Sequence, residues 1–200
     1  MDHAAFMNAL STDLFPMLRA QGFRGSGTTL RRVMDPVIHV INVQAASGGS
    51  MCFLNLGAHL TFLPTAGEGK ADAKKLKEYE CVFRDRFDPP AGPAFGWPYG
   101  QNKDEMKETT AFICDHWRMY AQTFFDKYTH FPTDFVAIIE GIDASAAHPI
   151  DLLTFARIAA QIRDNTRAQS LASEALKRCP ERASGLRANL NKFLRELPRI

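Results

Sequence analysis

The chain has 200 residues, 46% hydrophobic and 23% charged, with a formal net charge of +2, so bulk charge provides no argument for a nucleic-acid binder. No run approaches the roughly 18 apolar residues of a membrane span, and the N-terminus lacks the basic and then apolar pattern of a leader. Four Cys at 52, 81, 114 and 179 contain no CxxC pair, so the expectation is a soluble, reduced, cytoplasmic protein with no metal and no cofactor.

Phe6, Leu10, Leu14, Met17 and Leu18 recur at three- and four-residue spacings, which predicts a helix over residues 3–20. Pro16 is expected to kink or break it and Gly22 to end it. Gly25, Ser26 and Gly27 read as a turn into a short strand at 29–33. The glycines there match neither a phosphate loop nor a dinucleotide fingerprint. Residues 37–60 follow as two runs of β-branched and aliphatic residues joined by a polar, glycine-containing turn, the pattern of a hairpin. The first run is apolar on both faces, as in a covered central strand. A short helix is expected at 71–76 and a further long strand at 79–87, giving an antiparallel sheet of about four strands.

Residues 88–100 are dense in Pro and Gly, with Phe95, Trp97 and Tyr99 alternating along them. The segment reads either as a loop that folds its aromatics over the sheet or, across 93–99, as a recognition lip. Helical periodicity returns near Glu105, with Phe112, Trp117, Tyr120, Phe124 and Tyr128 expected to pack on the sheet. Short helices follow through 135–141, 150–163, 166–178 and the stripe Leu186, Leu190, Phe193, Leu194, Leu197. The expected fold is α+β, with an N-terminal helix, an antiparallel sheet covered by helices and an all-helical C-terminal extension. The expected domains are 1–145, α+β, and 146–200, three helices packed on the first.

Residues 157–200 hold ten Lys or Arg against four Asp or Glu, a surplus of six, while the remainder has 14 against 18. A basic helical surface facing a polyanion and an ordinary solvated face both fit that asymmetry. The sequence lacks HExxH, HxH, a G-x-S-x-G elbow, an RNP pair and a helix-turn-helix signature, which argues against metal, serine-nucleophile and nucleic-acid chemistry. The candidate binding residues are Arg32, Gln44, Asn55, His59, Arg84, Arg86 and Trp97. Gln44 and Asn55 interrupt apolar strands, and guanidinium groups brought near them would hold a carboxylate or phosphate. Arg31 shares this polar surface. The plain structural alternative pairs the arginines with Asp35, Asp85 or Glu80 and uses the amides at a bulge or sheet edge. The leading expectation is non-enzymatic binding of a protein partner or a small anionic ligand. The alternative is a hydrolase or transferase acting on an anionic small molecule, with Arg84 and Arg86 binding charge and His59 moving a proton.

The ordered segments LRAQGFRGSGTTLRRV, VINVQAASGGSMCFLNLG and ECVFRDRF resemble the domain-of-unknown-function family DUF4304. The residues that carry the resemblance are Gly22 and Phe23, Arg32, Gln44, and Asn55, Leu56 and Gly57, with Glu80, Cys81 and Arg86 as a further set. It is strongest over residues 6–87, and the helical continuation follows in order and length. The resemblance implies an α+β domain and supplies no reaction or cofactor. By analogy, an adaptor or a small bacterial immunity-type protein would need such a recognition surface rather than a complete active site.

Overall fold

Helix α1 (His3–Ala20) starts where the Asp2 carboxylate accepts the Ala5 N–H at 2.8 Å. It ends where the Gly22 and Phe23 N–H groups donate back to the Arg19 and Leu18 carbonyls, with Gly22 at a φ of 92°. The computed structural model describes residues 2–65, 67–90 and 95–198. Pro16 lies inside α1 without ending it. Phe6, Leu10, Leu14, Phe15 and Leu18 are all buried, and that packed stripe holds the helix together across the missing N–H.

Among the described residues six strands form one antiparallel sheet: β1 (Arg24–Ser26), β2 (Thr29–Met34), β3 (Val37–Ala45), β4 (Met51–Leu60), β5 (Phe83–Phe87) and β6 (Trp97–Pro98). Their order is β1-β2-β3-β4-β5, and β6 also pairs with β4, beyond the end of β5. The turn expected at 25–27 is thus partly a strand, because Arg24, Gly25 and Ser26 pair with Arg31, Leu30 and Thr29.

Register separates the two faces of this sheet. Arg32, His39, Ala58 and Phe83 stand in one cross-strand row, while Arg31, Val40, Gly57 and Arg84 stand in the neighbouring row on the opposite face. The first face meets helices. The Phe125 ring lies 4.7 Å from His39, Tyr128 stacks on Phe83 at 4.4 Å, and Trp117 meets Phe87 edge-on at 6.2 Å. These aromatics come from α2 (Lys103–Trp117), a π-turn at Arg118–Gln122 and α3 (Thr123–Asp126) with the residues after it. The wider turn changes the helical phase, so Phe125, outside the expected stripe, is fully buried, whereas Phe112 and Tyr120 stay 37% and 41% exposed.

The second face is partly covered by the connection between β4 and β5. Ile38 and Val40 pack there with Leu76 and Cys81, and Arg31 holds the cover by donating to the Leu76 carbonyl at 2.6 Å and the Lys75 carbonyl at 3.1 Å. The helix expected at 71–76 is a turn, and the strand expected from residue 79 begins only at Phe83. Instead, Glu78–Glu80 form one 3₁₀ turn, closed by the Lys77 N–H donating to the Glu80 carboxylate at 2.8 Å.

The chain divides into two compact units, Met1–Thr129 and His130–Ile200, and the second opens with the helix α4 (Thr133–Gly141). That unit continues through α5 (Pro149–Gln161), α6 (Asn165–Arg178) and α7 (Ser184–Glu196). Part of its basic surplus has a structural use. Arg167 donates to the Ile139 and Ile142 carbonyls, Arg178 to the Ala144 carbonyl, and Arg187 to the Cys179 carbonyl at 2.7 Å. No helix among the described residues is long and apolar enough to cross a membrane.

Candidate functional site

Strands β3, β4 and β5 bring Gln44, Asn55 and Arg86 together on the sheet face away from the aromatic helices. Asn55 is directly opposite Arg86, and Gln44 reaches the same place from two rows along on the same face, opposite Phe53. The Arg86 Nε donates to Asn55 Oδ1 at 3.2 Å, and the Asn55 Nδ2 donates to Gln44 Oε1 at 2.9 Å. The two amides thereby fix one another's orientation, and the Arg86 guanidinium sits over the Phe53 ring at 4.4 Å. Arg84, two residues back on β5, shares the face.

These side chains line a cleft of about 530 Å³ whose walls also include the exposed Tyr79 and Phe95. Glu78 and Asp88 bring negative charge to it, and Asp85 borders it from β5, where register assigns its side chain to the other face. Two of those carboxylates are engaged by backbone N–H groups: Asp85 accepts from Arg86 at 2.8 Å, and Asp88 accepts from Gly96 at 3.2 Å. Among the described residues, neither Arg84 nor Arg86 has a carboxylate within ion-pair distance. Asp35 instead accepts from Thr61, and Glu80 closes its own turn. The Arg86 guanidinium, fixed by Asn55 and Phe53, and the exposed Arg84 on the same face suit a carboxylate or phosphate, and the adjacent rings suit an apolar neighbour of that group.

Four candidate residues, Gln44, Asn55, Arg84 and Arg86, therefore converge, while Arg32, His59 and Trp97 lie elsewhere. Arg32 is on the helix side. It donates to the Gln21 carbonyl at 3.2 Å and to His39 Nδ1 at 2.9 Å, and its guanidinium lies 5.0 Å from the Phe23 ring. Since Nδ1 accepts from Arg32, His39 is the Nε2–H tautomer, donating to the Tyr128 carbonyl at 2.9 Å. Burial pulls the His39 pKa from 6.5 down to about 4, with Arg32 acting in the same direction and the Tyr128 bond opposing it.

His59 shares the cleft's sheet face but is only 1% exposed and does not line the cleft. Its Nε2–H donates to the Leu63 carbonyl at 3.2 Å, and burial lowers its pKa. Trp97 is buried in β6, where its Nε1–H donates to the Phe87 carbonyl at 2.6 Å. In the 93–99 loop, residues 93 and 94 lie outside the described residues. Of the loop aromatics, Trp97 and Tyr99 fold inward and Phe95 remains 76% exposed at the cleft.

Sequence parity places Tyr79 with Cys81 and Phe83 on one side of a strand, but the 3₁₀ turn rotates it to the cleft wall, 60% exposed. The Cys81 thiol is buried and burial pushes its pKa up, so it packs as an apolar group. Among the described residues, no three His, Cys, Asp or Glu side chains gather as a metal site.

Neither curated proteins nor solved structures provide a match to this chain. A family model described as a domain of unknown function, DUF4304, matches residues 14–127. That span contains the helix-ending Gly22–Phe23 pair, Arg32 and the whole arginine–amide cleft, and the chain belongs to the DUF4304 family.

Proposed function

We propose that this protein is a non-enzymatic recognition module, of the adaptor or immunity type, whose cleft receives an acidic group of a partner polypeptide. The observation that carries this reading is the pair of arginines that have no ion-pair partner among the described residues, Arg86 being held in position by Asn55, Gln44 and Phe53. Exposed Tyr79 and Phe95 beside them favour a polypeptide over a free anion, because a small anion has no surface for those rings. The carboxylates of Glu78 and Asp88 favour a ligand of mixed character over a polyanion. The hydrolase or transferase alternative needs a proton-transfer group beside the bound charge, and His59 is enclosed at Leu63 instead. Four free cysteines fit work in a reducing cytoplasm.

The test is selection of peptides from a random library on the immobilised protein, followed by calorimetry with the Arg84→Gln/Arg86→Gln double variant. Selected peptides should share acidic positions, and their affinity should fall about tenfold or more in a variant of unchanged Tm. Neutral peptides that bind wild type and variant equally would overturn the reading. Tighter binding of acetate, succinate or phosphate than of any peptide would replace the polypeptide partner with a small anion.

A further inference from the structure

We infer that the outer edge of β5 is a strand-addition site, taking an extended partner segment antiparallel to β5 with acidic side chains at two alternate positions. This rests on the recognition reading above and specifies how the partner is held.

The directions of the backbone groups carry the argument. The Thr61 N–H donates to the Pro36 carbonyl at 2.8 Å, and the Ala46 N–H donates to the Met51 carbonyl at 3.0 Å. Odd-numbered residues of β4 therefore turn their backbone groups toward β3. The Tyr99 N–H donates to the Ser50 carbonyl at 3.0 Å, so the even-numbered ones turn toward β5 and β6. Leu54, Leu56 and Ala58 pair with Phe87, Asp85 and Phe83, which consequently face β4. Arg84 and Arg86 must then direct their N–H and C=O groups outward. Among the described residues no strand pairs with that edge.

The outward Arg86 N–H donates to the carboxylate of its neighbour Asp85 at 2.8 Å, a local acceptor that an incoming carbonyl can replace. An exposed row of main-chain donors and acceptors is the template that strand addition uses.

Side-chain alternation specifies the occupant. Residues of an added strand directly opposite Arg84 and Arg86 place their side chains on the cleft face, beside the two guanidiniums. The residue between them opposes Asp85 on the other face, where an acid would meet like charge. The matching segment is acid, non-acid, acid. A second copy of this chain fits poorly, because antiparallel pairing about Asp85 sets Arg84 against the copy's Arg86 and Asp85 against itself.

The probe is the blocked heptapeptide acetyl-Lys-Thr-Glu-Thr-Glu-Thr-Lys-amide, titrated into the full chain and followed by NMR. In antiparallel pairing the two Glu residues exchange main-chain hydrogen bonds with Arg84 and Arg86, whereas the central Thr points its N–H away. N-methylation of both Glu residues should weaken binding at least about tenfold, and N-methylation of the central Thr should change it by less than about twofold. The Arg84 and Arg86 amides should gain exchange protection in the complex. If the peptide binds, requires Arg84 and Arg86, yet ignores the position of methylation and protects neither amide, strand addition is overturned and the acidic-group cleft stands. If the peptide does not bind at all, both readings fall.

Discussion

Gly57 determines how closely the 78–81 segment can approach β4. A Cβ there would lie 2.8 Å from the Cys81 Sγ and 3.3 Å from the Glu78 Cα. The residue is a glycine because another part of the chain occupies the space where its side chain would project. Gly57→Ala should therefore destabilise the first unit by about 1–3 kcal/mol, and Cys81→Ala in the same chain should recover part of the loss. Urea denaturation followed by tryptophan fluorescence measures this, since Trp97 and Trp117, the chain's two tryptophans, are both buried in that unit. An unchanged midpoint in Gly57→Ala would remove the steric account. The Asn-Leu-Gly run is visible in the sequence, but the atom that excludes the side chain is 24 positions away.

At the scale of elements, the connection between β4 and β5 forms one wall of the site and has little regular structure of its own. Its attachment depends on Leu76 and Cys81 against Ile38 and Val40, and on the two carbonyls held by Arg31. Arg31→Met keeps the stem and removes both hydrogen bonds, so local opening should become easier by about 2 kcal/mol. Trypsin should then cleave within Lys70–Lys77 roughly thirtyfold faster while the global midpoint moves much less. Equal cleavage rates in the two proteins would mean that Arg31 does not hold the cover. This segment is also where periodicity misleads. The alternation of Tyr79, Cys81 and Phe83 has the period of a strand, but the Glu80 carboxylate on the Lys77 N–H closes a 3₁₀ turn first. A side chain competing for a backbone donor leaves no periodic trace.

At the scale of the whole molecule, buried imidazoles couple folding of the first unit to pH. Burial holds His39 at about 4 against 6.5 for an open imidazole, and His59 is lowered by the same cause. The unfolded chain binds these protons more readily than the folded one, so their stabilising contribution is complete above pH 6.5 and is lost as pH falls toward 4. For His39 alone the loss is on the order of 3 kcal/mol. Urea midpoints from tryptophan fluorescence should be level from pH 8 to 7 and fall steadily from 6.5 to 5. The fall should be shallower in His39→Gln, and identical slopes in the two proteins would show that the proton goes elsewhere.

Hydrophobic period and turn chemistry by themselves determined the N-terminal helix, the central β3–β4 pair, the helical continuation and the α+β class, because each is set by residues close together in the chain. The unusual polar residues Gln44 and Asn55 marked a site on the same grounds, being out of place in apolar strands. Only the tertiary structure decided which arginines join them. Register puts Arg86 opposite Asn55 and Arg32 opposite His39, on opposite faces of one sheet. A shift of one residue would exchange those faces, and local sequence does not encode pairing between strands separated by a 22-residue connection.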